Sequence, residues 1–422
     1  MTVPTRSRVA LVGLLTAGTI SDTGTRVSTV TLPWLVLVST GSPTRMGLVA
    51  AAEMLPYVLI SALGPPLVDR LGARRVSITA DLASAAGMLL LAATYHLGFT
   101  ALLGQVALIG VLRGLGDNAK RAMAHPTIAA SGVSMARVSA IDDGLHRLSI
   151  LVGAPAAGVI IAWFGITQAI LIDAATFAVS AAVVTALIPA SIGRPAHTAA
   201  TAREPYLKAL GIGLRHLRSD QVAVGIFTMM FVINLFNQAS VAVYIPVWVD
   251  RVVDDPAALG AISGALALGA VVGNIGFAIA ANRLPRYVTF TLGFLIGGAP
   301  RFLAMAFSHD LLVVVAITFV SGIALAAVNP IIAATILERT PPALQARMFG
   351  LATAVSWASI PIGGVLGGWA ASALGLTAAI TLTGLLYLLV ALTLVVRPAR
   401  WRRLDEPPPT VAASTDADPV RT

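Results

Sequence analysis

The stretch Gly64–Arg75, GPPLVDRLGARR, sets one acid and three arginines around a second glycine, between two long apolar runs. Arginines in such a place read as a short loop on the basic side of a membrane. An acid and two glycines at fixed spacing ask for more. Gly72 suits a tight turn, and Gly64 suits close approach of a neighbouring helix.

Composition sets the class around it. The 422 residues are 57% hydrophobic and only 11% charged, against about 25% charged in soluble chains. Mean hydropathy is +0.87. A chain of this kind is polytopic in the membrane, each span needing about 20 apolar residues. Apolar runs fall at roughly 9–38, 46–64, 76–95, 100–119, 146–163, 166–189, 221–247, 258–281, 287–306, 311–334, 350–373 and 376–396. The first is far longer than the apolar core of a signal peptide. There is no cysteine, so disulfide and thiol chemistry are excluded. The net charge of +9 is scattered in short clusters between apolar runs, which fits topology and not nucleic acid.

The expected fold is therefore an all-α membrane protein of twelve transmembrane helices in two pseudo-symmetric six-helix bundles. Residues 1–189 form the first bundle and 221–397 the second. Residues 190–220 form a linker whose YLKALGIGLRHLRSD (Tyr206–Asp220) reads as an amphipathic surface helix. The Pro-rich tail 398–422 reads as disordered. The linker and almost all lysines and arginines near span ends fall on one side, leaving Arg45 and Arg251 on the other. The positive-inside rule puts both termini in the cytoplasm and the protein in the cytoplasmic (inner) membrane. A faint repeat, GFAIAANRLPRY (Gly276–Tyr287), follows the eighth run as Gly64–Arg75 follows the second, but lacks the acid.

Ionisable residues inside spans are functional candidates because charge is costly there. Asp22 and Arg26 are spaced to pair on one helix face, as are Arg113 and Asp117. Each pair carries protons or only fastens helices. Glu53 has no partner on its own helix and lies at the depth of Asp22, about 10 Å below the far edge. Asp22 or Glu53 is the expected proton carrier, since a desolvated carboxylate takes up a proton near neutral pH. Asp173 reads as structural, and Asp142 and Asp143 as solvated. The seventh run holds Asn234, Asn237 and Gln238 beside Phe231 and Phe236. These either bond neighbouring helices or line a cavity for a mixed apolar and polar ligand. No hydrolase, nucleotide or metal-ligand motif is present, so the chain reads as no enzyme, with no metal and no cofactor beyond an ion gradient.

Gly64, Asp69, Arg70, Gly72, Arg74 and Arg75 fall on the positions of the loop 2–3 signature of the major facilitator superfamily, which GPPLVDRLGARR closely resembles. SDTGTRVSTVTLPWLVLVSTGSPTRMGLV (Ser21–Val49) and ILIDAATF (Ile170–Phe177) are similar to the exporter branch that takes in macrolide, multidrug and siderophore efflux. GAPAAG (Gly153, Pro155, Gly158) resembles the helix 5 antiporter signature, with Ala154 and Ala157 replacing glycines. RGLGDNA (Arg113–Ala119) resembles the helix 4 signature with its glycines displaced. The resemblance implies two bundles rocking around a cavity lined by helices 1, 4, 7 and 10. It favours Asp22, Arg26, Arg113, the span 7 amides and Asn329, and sets Asp173 and Arg301 on the outside. The implied activity is proton-coupled export of amphipathic small molecules by a monomer, whose partners are substrate, protons and membrane lipids. Proton-coupled uptake and a non-transporting receptor or assembly protein are the alternatives. The Gly64–Arg75 cluster is then a cytoplasmic gate, latched through Asp69 when the outer face is open.

Overall fold

The computed structural model describes residues 5–192, 206–280 and 283–405, which are helical throughout with no strand. Twelve spans, numbered here in chain order, are Thr5–Thr40, Pro43–Leu63, Ala73–Leu97, Phe99–Ser131, Met135–Phe164 and Ile166–Leu187 in the first half. Gln221–Val253, Ala257–Ala280, Arg286–Phe307, Leu311–Arg339, Pro342–Leu374 and Leu376–Val396 make the second. Spans 2 to 12 are long and apolar enough to cross a membrane. Span 1, with 36 residues, is diluted by Asp22, Arg26 and many serines and threonines. It packs along spans 5 and 6 of its own half.

The turns repeat between halves. Gly41, after span 1, has φ +61, and Asp254, after span 7, has φ +54. Gly165 and Gly375, after spans 5 and 11, have φ +87 and +82. Each pair reverses the chain at equivalent points of the two bundles, and left-handed backbone is what such tight reversals require. Spans 4, 5 and 11 run further than apolar patterning indicates. Polar residues such as Lys120, Arg121, Asp142 and Asp143 lie on those extensions, where a helix can project beyond hydrocarbon without exposing its backbone bonds.

The halves meet by close approach at small residues. A Cβ on Gly47 of span 2 would stand 2.1 Å from the Gly364 carbonyl of span 11. One on Gly368 would stand 2.5 Å from the Pro43 carbonyl. Thr44 adds a 2.8 Å hydrogen bond to Ser372. Spans 5 and 8 meet likewise: a Cβ on Gly158 would be 2.5 Å from the Gly260 nitrogen, and one on Gly260 would be 2.6 Å from the Pro155 carbonyl. Gly153 instead packs on Arg26 of span 1. The contacts at Pro43–Gly47 and Gly158–Gly260 lie toward the end opposite the Gly64–Arg75 loop.

On the basic face the Gly64–Arg75 segment is a short helix, Pro65–Leu71, ended by Gly72 at φ 90. Arg74 donates to the Ile188 and Thr185 carbonyls at 2.7 and 2.8 Å, closing the C-terminal end of span 6. The amphipathic helix of the linker spans Tyr206–Ser219, while 193–205, including Arg194 and Arg203, lie outside the described residues. The ordered chain runs past the expected boundary at 397. Pro398–Trp401 is helical, and Trp401 and Leu404 are buried, Trp401 against Phe290. The remaining tail, 406–422, lies outside the described residues.

Asp220 caps span 7 through the Val222 and Ala223 amides and binds Arg339 at 2.7 Å. Burial opposes its charge, but the Arg339 guanidinium and the two amides outweigh it and hold the carboxyl below its ordinary range. A depressed folded pKa stabilises at pH above the unfolded value, near 4, and that stability is lost as pH falls through the lowered one. Asp220→Asn should therefore lower thermal stability at neutral pH and weaken its fall between about pH 4 and 2. An unchanged acid limb in a detergent melting series would contradict this. Gly47→Val should destabilise the span 2–span 11 contact by about 1–3 kcal/mol. It should also speed labelling of a single cysteine placed at Ser372, whereas Gly104→Ala, with open space around it, should change neither.

Candidate functional site: a charged cavity between the halves

A cavity of about 630 Å³ lies between the halves and reaches Lys120, Arg121, Asp142 and Asp143 toward the basic face. The first half gives most of its wall: Asp22, Thr25 and Arg26 from span 1, Met54 and Tyr57 from span 2, Arg113, Asp117, Lys120 and Arg121 from span 4, and Asp142, Asp143 and His146 from span 5. The second half gives Gln238, Trp357 and Ile360. One wall is thus densely charged and the other amide, aromatic and aliphatic.

The charged groups pair across helices. Arg113, 6% exposed, binds Glu53, 4% exposed, so the anion sits behind the cation and away from the cavity. This differs from the expected Arg113–Asp117 pair along one helix. The cause is Gly110, where a Cβ would be 2.2 Å from the Glu53 carbonyl. Span 2 comes close enough there for its acid to reach Arg113. Asp117 instead accepts from the Tyr57 hydroxyl at 2.9 Å. Lys120 binds the buried Asp81 at 3.1 Å, and Ser180 donates to the same carboxylate at 2.7 Å. Asp22 accepts from Arg26 at 3.3 Å, as its spacing indicates, and its other oxygen lies 2.8 Å from His146 Nδ1. Asp173 is buried and bonded to Ser28 and Thr176.

The aromatic seam was not foreseen. Tyr57 of one half and Trp357 of the other face each other with ring centroids 5.4 Å apart. The Arg113 guanidinium lies 5.7 Å from the Tyr57 ring and that of Arg121 lies 5.8 Å from the Trp357 ring. Neither aromatic carries a sequence signal, since each is a single ring in an apolar run. His146 also escaped notice, being read within a solvated segment.

In span 7 only Gln238 of the expected residues is on the cavity wall. Asn237 turns into its own half and accepts from Arg301 of span 9. Arg301 therefore does not sit on the outside, as the family likeness implied, but reaches the inner helix through the break in span 9 at Gly298. Phe236 packs on Tyr387. Phe231 and Asn234 are half-buried and do not line the cavity. Asn329 is exposed and away from it, because span 10 gives no residue to the wall.

Asp69, Arg70 and Arg75 are exposed, and Asp69 makes no hydrogen bond or ion pair among the described residues. The latch expected of Asp69 is thus not made while the cavity is open on that side. Among the described residues no His, Asp and Glu group could hold a metal. Glu53→Gln would leave the Arg113 charge buried without its counter-ion, a change that costs about 3–5 kcal/mol. The variant should purify poorly or melt at least several degrees lower, whereas Glu53→Gln with Arg113→Met should recover much of the loss. Equal melting of single and double variants would show that the pair is not what holds spans 2 and 4.

Over residues 3–411 the chain matches the transmembrane secretion effector family. It is 29% identical over 409 residues to the multidrug efflux pump Tap of Mycobacterium tuberculosis, covering 94% of each chain. Tap of Mycolicibacterium fortuitum is 27% identical, with 94% of this chain and 98% of that one covered. Of solved structures, the nucleoside transporter NupG superposes with a TM-score of 0.74 at 12% identity, covering 92% of this chain and 98% of its own. A bacterial homolog of the human lysosomal transporter Spinster, in an inward-facing and unoccupied conformation, gives 0.66 at 14% identity over 96% and 98%. These two share the fold. The chain belongs to the transmembrane secretion effector family, within the major facilitator superfamily, and is a membrane transporter and not an enzyme.

Proposed function

We propose that this protein exports amphipathic small molecules, drugs or siderophore-like metabolites, across the cytoplasmic membrane in exchange for protons. The observation that carries this is the cavity of about 630 Å³ with a charged wall facing an aromatic and aliphatic one. A drug-sized ligand needs roughly 300–1,000 Å³, mostly apolar with a few polar fixtures. The likeness to the Tap pumps supports drugs as the cargo.

Asp22 is the proton carrier in this reading. It lies on the cavity wall, held by Arg26 and His146, while Glu53 is sealed behind Arg113. Protonation of Asp22 would release Arg26 and His146 and loosen span 1 from span 5. Both termini would lie in the cytoplasm, by the positive-inside rule, so this conformation takes substrate from the cytoplasm. The Asp69 latch would form when that face closes. The unit of transport is one chain, since both halves of the cavity come from it. The exposed Arg70 and Arg75 would rest among anionic lipid head groups.

The test is purified protein in liposomes with an imposed pH gradient and an aromatic amphiphilic dye. Dye should move against the proton flux. Asp22→Asn should cut gradient-driven transport at least tenfold, with dye binding within about twofold of wild type. Asp69→Asn should slow transport and spare binding. Dye flux that ignores the gradient would remove proton coupling, and flux in the direction of the protons would favour uptake.

A further inference from the structure

The pairing pattern leaves a residue of charge in the cavity. Arg113 is neutralised by Glu53 and Lys120 by Asp81, acids that lie behind the wall and not on it. Arg26 is matched by Asp22, and Asp143 by Arg147. Three charged groups of the wall have no opposite charge bonded to them among the described residues: Asp117, Asp142 and Arg121. Among the described residues Asp117 is bonded only by the Tyr57 hydroxyl, a neutral donor. Counted with the partners bonded to them, the wall residues carry one more acid than base.

The position of Arg121 is informative. It follows Asp117 by one helical turn, a spacing at which the two could pair. Its guanidinium is turned instead over Trp357, 5.8 Å from the ring centre. Cations favour the faces of aromatic rings, and indole is the best of these. Tyr57 and Trp357 together with Asp117 therefore form a seat for a positive group at one seam between the halves, with the Arg113 guanidinium 5.7 Å from the Tyr57 ring and the Trp357 face open to a second cation. Arg121, exposed and long, occupies the Trp357 side of that seat.

We propose that Asp117, Tyr57 and Trp357 form the subsite for the cationic head of an organic-cation substrate, and that Arg121 is a built-in stand-in which the substrate displaces. This rests on reading the cavity as the transport site and narrows its cargo to amphipaths with an ammonium-like or similar positive group beside an apolar body. The stand-in has a physical use. With no substrate bound, Arg121 covers the indole face and offsets one acid, so the vacant seat does not collect small inorganic cations. A substrate must offer more than charge to displace a tethered guanidinium, and its apolar body, packing on Met54 and Ile360, supplies that. Tyr57 and Trp357 come from different halves, so a cation seated against them bears on the contact that holds this mouth of the cavity.

Equilibrium binding to the purified full chain in detergent tests it, with no gradient and no transport. The probes are a phenylalkyl-trimethylammonium, its neutral tert-butyl isostere and a phenylalkanoate of equal length. The wild type should bind the cation at least tenfold more tightly than the other two. Asp117→Asn and Trp357→Leu should each weaken the cation about tenfold and leave the isostere within twofold, with Trp357→Phe between. Arg121→Ala should tighten the cation about three- to tenfold, where a residue that merely lines the site would weaken it. Each variant is compared by melting temperature and elution profile. If one unfolds, raised ionic strength should still weaken the cation and spare the isostere in wild type. Equal binding of cation and isostere would overturn the subsite but leave the cavity as a binding site. Weakened cation binding in Arg121→Ala would overturn the stand-in. Failure of all three probes to bind would bring down the cavity reading along with both.

Discussion

Backbone-to-backbone approach at glycine is the constraint on which the rest depends. In hydrocarbon no water drives helices together, so association relies on close packing and on polar contacts that such packing brings into range. Gly110 shows both at once. Its missing side chain lets span 2 lie against span 4, and that approach brings Glu53 to Arg113. Four residues on, Gly114 lies 3.0 Å, by a Cβ, from the Tyr57 carbonyl, and Tyr57 reaches Asp117. Each buried charge of span 4 is thereby matched from another helix. Glu53 and Asp81, the partners of Arg113 and Lys120, lie behind the wall of the cavity and not on it.

The two halves use this constraint differently. The first carries buried carboxylates, Glu53, Asp81 and Asp173, each with a hydrogen-bond donor from a second helix. Among the described residues the second has no buried carboxylate within its spans. Its half-buried cation, Arg301, is met by an amide, Asn237, beside the ring of Phe302. A repeat visible in the turns has thus diverged in chemistry. Buried carboxylates are gathered in one bundle, and the other gives the cavity an uncharged wall.

The class of fold was legible because hydrocarbon imposes long apolar runs and charge asymmetry marks one face. The Gly64–Arg75 spacing narrowed it further. Asp22 and Arg26 were also legible, since one helix carries both and their spacing decides the contact. Partners on different helices were not. Arg113 has Asp117 one turn away, and nothing in a single sequence says that Gly110 will draw Glu53 nearer. Tyr57, Trp357 and His146 were missed for the same reason, as each gains its meaning from a residue distant in sequence. Asn237 and Asn329 were placed on the cavity by helix alone, whereas only the helix face decides it.

Pro155, Gly158 and Gly260 take on a mechanical meaning from where they sit. Two stiff rods touching through backbone atoms, with no side chain between them, make a fulcrum with almost no play. Each bundle is a lever about 30 Å long across the hydrocarbon. A tilt of about 10° about a contact near one end displaces the other end by roughly 5 Å, one helical turn. A small angular change about the backbone contact at Gly158–Gly260 would therefore make an opening as wide as an aromatic ring.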